Sequence, residues 1–193
     1  APTKPIVAVY TEEQAKEFMA EDPSKVFVED SGRGWRRVVA SPDPKKIVEA
    51  DSILNLLDNE FIVIACGGGG IPVMRHGNHL KGASAVIDKD FASERLAEDL
   101  HADYLIILTA VEKVAIHFGQ ADEQWLSEMT TDQARQYMAQ NEFAPGSMLP
   151  KVQAAVKFAE SRPGRTALIT LLQKAKEGIL VNTGTRIYRG ARI

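Results

Sequence analysis

Two lysines stand where a helix start would discourage them. In "SAVIDKDFASERLAEDL", Lys89 lies between Asp88 and Asp90 at the head of a helical-looking segment. In "FAPGSMLPKVQAAVKF", Ser147 is placed as an N-cap, Pro150 suits a first turn, and Lys151 follows it. The N-terminus of a helix is its positive end, so aspartate belongs there and lysine opposes the dipole. A single such lysine is usually a solvated cation held by its neighbouring carboxylates. Two of them in one chain suggest a shared anion, with ammonium groups and free amides converging on a phosphate. Asp90 then holds the lysines in place rather than acting as a base.

A third element could meet the same anion. "FIVIAC" runs directly into Gly67, Gly68, Gly69 and Gly70. Four glycines are costly to order, which implies a close approach by another group; a phosphate on bare backbone amides and a simple strand-to-loop bend both satisfy that. The pattern is neither a P-loop nor a Gly-x-Gly-x-x-Gly fingerprint, and Pro72 and Gly77 interrupt any helix behind it. Other constellations are weaker. His76 and His79 flank Gly77, and no cysteine or carboxylate set completes a metal site around them. His101 and His117 read as surface or satisfied core residues, and Cys66 as a packed thiol. Gly146-Ser147-Met148 lacks the second glycine of a nucleophile elbow. Arg33, Trp35, Arg36 and Arg37 make a basic, aromatic hairpin, either a solvated edge or a cover over an anion.

The elements that must position these groups follow from hydrophobic spacing. Residues 11–21 form a helix capped by Thr11, and "VFVED" and "WRRVVAS" form a hairpin across "SGRG". Pro42 and Pro44 mark a boundary near residue 44. Beyond it, helices ("EADSILNLLDN", "FASERLAEDLHA", "TDQARQYMAQ", "LPKVQAAVKFAES") alternate with strands ("FIVIAC", "DYLIILT", "TALIT"). Non-alternating apolar strands between helices imply an α/β layer protein with a mostly parallel sheet. Such sheets bind ligands beyond the carboxyl ends of their strands. The loops after "FIVIAC" and "DYLIILT" are therefore expected to open onto one crevice.

The totals fit this picture. A chain of 193 residues with 45% hydrophobic and 25% charged content can bury a sizeable core. A net charge of −3 argues against a nucleic-acid or membrane-surface partner. The single cysteine, Cys66, allows no internal disulfide and suits a reducing, cytoplasmic setting.

In combination these residues resemble the carbamate kinases of the amino acid kinase superfamily. The resemblance covers nearly the whole chain and rests on "PTKPI", "GRGWRRVVASPDP", "ACGGGGIPV", "NHLKGASAVIDKDFAS", "LIILTAVEKVAI", "FAPGSMLPKV" and "TGTRI". It implies a three-layer αβα sandwich, with residues 1–44 as a lid-like subdomain and 45–193 as a nucleotide-binding portion. It also implies reversible phosphoryl transfer between ATP and carbamate with Mg²⁺, used for ATP formation in arginine fermentation by a cytoplasmic homodimer. By motif, Lys89 and Lys151 resemble the lysines that stabilise the transferring group, and Asp90 the carboxylate that orients them. Thr109, Ala110, Val111, Glu112 and Lys113, with Pro145, Gly146, Ser147 and Met148, resemble the nucleotide pocket. Gly67 to Gly70 and Lys4 resemble the phosphate and acceptor region. The alternatives are a related kinase for another small acceptor and a non-catalytic nucleotide-binding module. The family's Gly-Gly-Asn-Ala-Leu loop has no counterpart in this sequence, so the chain matches a C-terminal portion. Residues 1–193 alone are then expected to bind ADP weakly and transfer no phosphoryl group. "YRGARI" extends beyond the motif.

Overall fold

The computed structural model describes residues 2–30 and 32–190, and its chain divides into two compact units. One comprises residues 1–44 and 65–89, the other residues 45–64 and 90–193. The glycine segment thus joins the N-terminal residues, where a single cut at residue 44 would have separated them.

In the first unit, β1 (Pro2–Tyr10), β2 (Val26–Glu29) and β3 (Trp35–Ala40) form an antiparallel sheet in the order β1-β3-β2. The helix α1 (Glu12–Glu21) starts as its residues dictate. Thr11 accepts from the Gln14 amide while the Gln14 side chain accepts from the Thr11 amide, a full capping box. Phe18 of α1 stacks on Phe27 and meets Tyr10 edge-on, which closes a small apolar core around Ala15 and Val38. The expected hairpin is present, although Ser31 in its turn lies outside the described residues. Two of its arginines are locally paired: Asp30 accepts from Arg33 at 2.8 Å and Arg36 at 3.3 Å. A second hairpin, β4 (Val73–His76) and β5 (His79–Gly82), turns at Gly77, whose φ of 58° suits glycine. The sequence reading used Gly77 to exclude a helix and missed the hairpin.

The second unit begins with α2 (Ala50–Asp58), followed by α3 (Lys89–Asp99), whose first residue closes the first unit. Next come β6 (Tyr104–Thr109), β7 (Val114–Ile116), β8 (Gln124–Leu126) and β9 (Glu128–Thr130). The remainder is α4 (Thr131–Ala139), α5 (Met148–Ser161), β10 (Thr166–Leu171), a 3₁₀ turn (Leu172–Lys174), α6 (Ala175–Ile179) and β11 (Thr185–Tyr188). The main sheet has the order β6-β10-β11-β9. Its β6/β10 and β11/β9 pairings are parallel and its β10/β11 pairing is antiparallel. β10 is covered on both faces, as its apolar composition requires. Ala167 and Ile169 join Leu105, Ile107 and Ile187 in one core with Val152, Ala155, Val156 and Phe158 of α5. On the opposite face a Cβ at Gly178 of α6 would stand 3.0 Å from Leu168 Cδ2 and 3.1 Å from Thr170 Cγ2. Helix, sheet and helix therefore stack at β10.

One expected strand is not there. The "FIVIAC" run forms no strand, and Ile62 and Ile64 are 97% and 96% exposed. An apolar run becomes a strand only when a neighbour satisfies its amides and carbonyls, and no described strand pairs with it. The segment instead spans the division between the units. Tyr104, Ile106 and Leu108 of the edge strand β6 are likewise exposed.

The glycine run has a definite structural duty. Gly69 is buried at φ 130°, and a Cβ there would lie 2.1 Å from the Ile87 carbonyl oxygen. Around Gly67, Gly68 and Gly70 such a Cβ would meet nothing within 4 Å. The close approach at Gly69 is thus made by the chain's own backbone, immediately before Asp88. Gly69→Ala is expected to destabilise the fold by about 2–4 kcal/mol, through strain and a clash that no side chain can relieve. Gly68→Ala is expected to stay within about 0.5 kcal/mol. Urea denaturation of the two variants against the parent measures both.

Candidate functional site

Strand direction decides where the candidate residues gather. In the second unit α3 ends in a tight reversal: His101 takes φ 56° and the Ala102 amide bonds the Ala97 carbonyl, so β6 returns beside the helix. α5 likewise precedes the parallel strand β10. Helices that run back along the strands they feed have their N-termini at the carboxyl edge of the sheet. Asp90 and Lys151, each in the first turn of its helix, are thereby placed at the carboxyl edge of β6 and β10, the edge from which the loop 109–113 leaves.

The contact between the two helix starts is direct. Lys151 Nζ donates to Asp90 Oδ2 at 2.8 Å, with the lysine side chain 14% and the aspartate side chain 9% exposed. Charges taken this far out of water need each other, because removing one partner of a buried pair costs about 3–5 kcal/mol. Asp90 also offsets a cation placed at the positive end of α5. The reading of Asp90 as the holder of a lysine thus has a physical counterpart for Lys151. Lys89 is exposed at the first position of α3.

Ser147 occupies the N-cap position of α5 but makes no side-chain cap bond. Its φ of −140° and ψ of −73° depart from the usual extended cap, and the Ser147 and Leu149 amides bond the Ala144 carbonyl instead. A serine before an apolar run signalled the helix start correctly, and the Ala144 turn displaced its hydroxyl from the capping role. Pro145, Gly146 and Ser147 are exposed, and Met148 is half-buried at the edge of the core.

The loop after β6 is braced by threonines. The Thr170 hydroxyl donates to the Glu112 carbonyl at 3.4 Å, and the Thr183 hydroxyl donates to the Glu112 carboxylate. Thr185 accepts from the Val114 amide at 2.8 Å, and Lys113 Nζ donates to Ser127 at 2.9 Å. Thr109 ends β6 opposite Leu171 of β10, while Ala110 and Val111 turn the chain. This loop is fixed before any ligand arrives.

The first unit holds the other candidates. Lys4 of β1 donates to Asp88, a buried aspartate that ends the segment packed by Gly69. Sequence reasoning singled out Lys4 and overlooked Asp88 as its partner. The signal was present, since two aspartates flank Lys89, but local spacing does not reveal a partner 84 residues away. Cys66 is half-buried at φ 63° and its carbonyl accepts from the Gly69 amide at 2.7 Å. His117 lies between two carboxylates, Asp122 at 2.7 Å and Glu142 at 3.3 Å. His76 and His79 face each other across the β4/β5 hairpin. No cluster of three or more His, Cys, Asp or Glu suited to a metal occurs among the described residues.

Comparison with known proteins adds an independent line. Residues 8–170 match the model of the amino acid kinase family. A carbamate kinase-like protein of Escherichia coli K12, YqeA, is 58% identical over 96% of this chain. Carbamate kinase 2 of a Staphylococcus aureus strain is 50% identical over 97% of it. A structure of carbamate kinase from Giardia lamblia bound to AMP-PNP aligns with 98% of the chain at 44% identity and a TM-score of 0.85. The chain spans about 60% of the length of these relatives: 59% of the first and 60% of the other two. Its layered α/β fold and a family match over most of its length agree: the chain belongs to the amino acid kinase family.

Proposed function

We propose that the protein carrying this chain transfers a phosphoryl group reversibly between ATP and carbamate, forming ADP and carbamoyl phosphate. The observation that carries this reading is the Asp90–Lys151 pair at the joined starts of α3 and α5. Similarity to carbamate kinases over nearly the whole chain supports the choice of acceptor, and the AMP-PNP complex of the Giardia relative supports the choice of nucleotide.

A carbamate oxygen attacks the γ-phosphorus while the bond to the β-phosphate oxygen breaks and ADP leaves. No covalent enzyme intermediate is needed, so positioning and charge do the work. Lys151 and Lys89 supply positive charge to the equatorial oxygens as it builds. Asp90 keeps Lys151 from swinging away, at no cost in reorganisation during the reaction. In this reading, which rests on the motif resemblance, Thr109 to Lys113 and Pro145 to Met148 are assigned to the nucleotide, and Gly67 to Gly70 with Lys4 to the phosphate and the acceptor. Mg²⁺ would enter with the nucleotide substrate and would offset the negative charge of its phosphates.

The setting that goes with this reading is a homodimer in the cytoplasm, forming ATP at the end of arginine fermentation. No helix among the described residues is long and apolar enough to cross a membrane.

In the natural protein, Lys89→Ala and Lys151→Ala are each expected to lower kcat by roughly 10²–10³ in ATP formation from carbamoyl phosphate and ADP. ADP affinity should change much less. A coupled ATP assay with calorimetry for ADP checks both, and a near-parental kcat in either variant removes that lysine from the mechanism. Running the reverse reaction with a panel of small carboxylates tests the acceptor, since turnover with another acid and none with carbamate would replace this reading by the related-kinase one.

A further inference from the structure

A second carboxylate on α3 is buried where the proposed chemistry makes no use of it. Glu94 is fully buried, one helical turn beyond Asp90 and on the same face of α3. Among the described residues neither of its oxygens meets full hydrogen-bond geometry with a partner, yet Lys157 of α5 reaches to 2.8 Å from Oε2. The two helices are therefore joined by two lysine–carboxylate pairs in the same order along both helices. Apolar packing contributes little to this seam: α3 supplies only Ala97, and in part Phe91, to the main core. Its other buried side chains are Asp90, Ala92 and Glu94. A helix with two buried carboxylates and few apolar anchors owes its position to the partners of those carboxylates.

We propose that Glu94, through Lys157, is a positioning residue that fixes the register of α3 on α5 and thereby holds Asp90 against Lys151. Its catalytic consequence rests on the phosphoryl-transfer reading above; the register claim does not. The charges around it are Arg95 and Glu98 on α3, Lys157 on α5, and Arg165 ahead of β10. Burial, reinforced by Glu98, raises the Glu94 pKa from 4.5 to about 7, against the pull of Lys157. The folded chain then binds this proton more tightly than the unfolded chain, so stability falls as pH rises from 4.5 to about 7. Positioning runs the other way, because only the ionised carboxylate pairs with Lys157. As pH rises through about 7, stability and turnover should move in opposite directions.

Two measurements on the natural protein decide the matter. In a double-mutant cycle by urea unfolding at pH 8, Asp90→Asn should lower the folding equilibrium constant by roughly 10²–10⁴-fold in the parent. In a Glu94→Gln background the same change should cost less than about tenfold. An equal factor in both backgrounds overturns the register claim. If Glu94→Gln does not fold, Lys157→Met replaces it in the same cycle with the same expectation, and Lys157→Arg should restore the parental factor. In the activity assay, Glu94→Gln should lower kcat about tenfold at pH 8 with the KM for ADP unchanged, and should lose the parent's decline in kcat below pH 7. An unchanged kcat and pH profile overturns the positioning role. A parent that transfers no phosphoryl group contradicts the proposed function instead, and leaves the stability cycle to decide the register claim.

Discussion

A single buried ion pair, Lys151 with Asp90, sets the terms for the rest of the second unit. Each partner is unfavourable without the other. Asp90 is a desolvated carboxylate, and Lys151 is a cation at the positive end of a helix dipole. Their mutual need requires that α3 and α5 start at the same place. That in turn requires both helices to run back along parallel strands, and β6 and β10 are those strands, with Leu105 opposite Ala167 and Thr109 opposite Leu171. The α5 core of Val152, Ala155 and Phe158 then supplies the hydrophobic burial that the polar helix α3 cannot.

The surroundings are built for rigidity. Threonines 170, 183 and 185 tie the loop after β6 to the opposite strands. In the first unit Gly69 lets the glycine segment lie on the Ile87 carbonyl, directly before Asp88 and Lys89. A site that works by placing charge gains from this, because a preorganised cation loses nothing to rearrangement when charge builds on a phosphate. The buried Glu94–Lys157 contact extends the same logic one turn further along α3.

Much of this was legible from residue order. Thr11 marked the start of α1 as its N-cap, and the 3.6-residue spacing of 131–139 and 148–161 gave two helices. Lys89 and Lys151 drew notice because both oppose the dipole at a helix start, and Asp90 as the carboxylate beside one of them. What failed did so for reasons of partnership. "FIVIAC" has strand composition, but only a neighbouring strand turns composition into a strand, and none of the described ones lies beside it. β9 and β11 are three and four residues long and take shape through pairing with each other, so their local pattern carries little. The pairing of Asp88 and Glu94 leaves no mark on local spacing, because their lysines lie 84 and 63 positions away. Residues 191–193, the end of "YRGARI", lie outside the described residues.

The central claim is that Lys151, held by Asp90, acts on charge that exists only during transfer. Calorimetric titration of the natural protein and its Lys151→Ala variant with ADP·Mg²⁺, with and without aluminium fluoride as a mimic of the transferring group, tests it most directly. Binding differential for the transition state predicts a loss of about 10²–10³-fold for the complex with the mimic and a change of less than about threefold for ADP alone. Equal losses for both ligands, or no loss for either, would contradict the account.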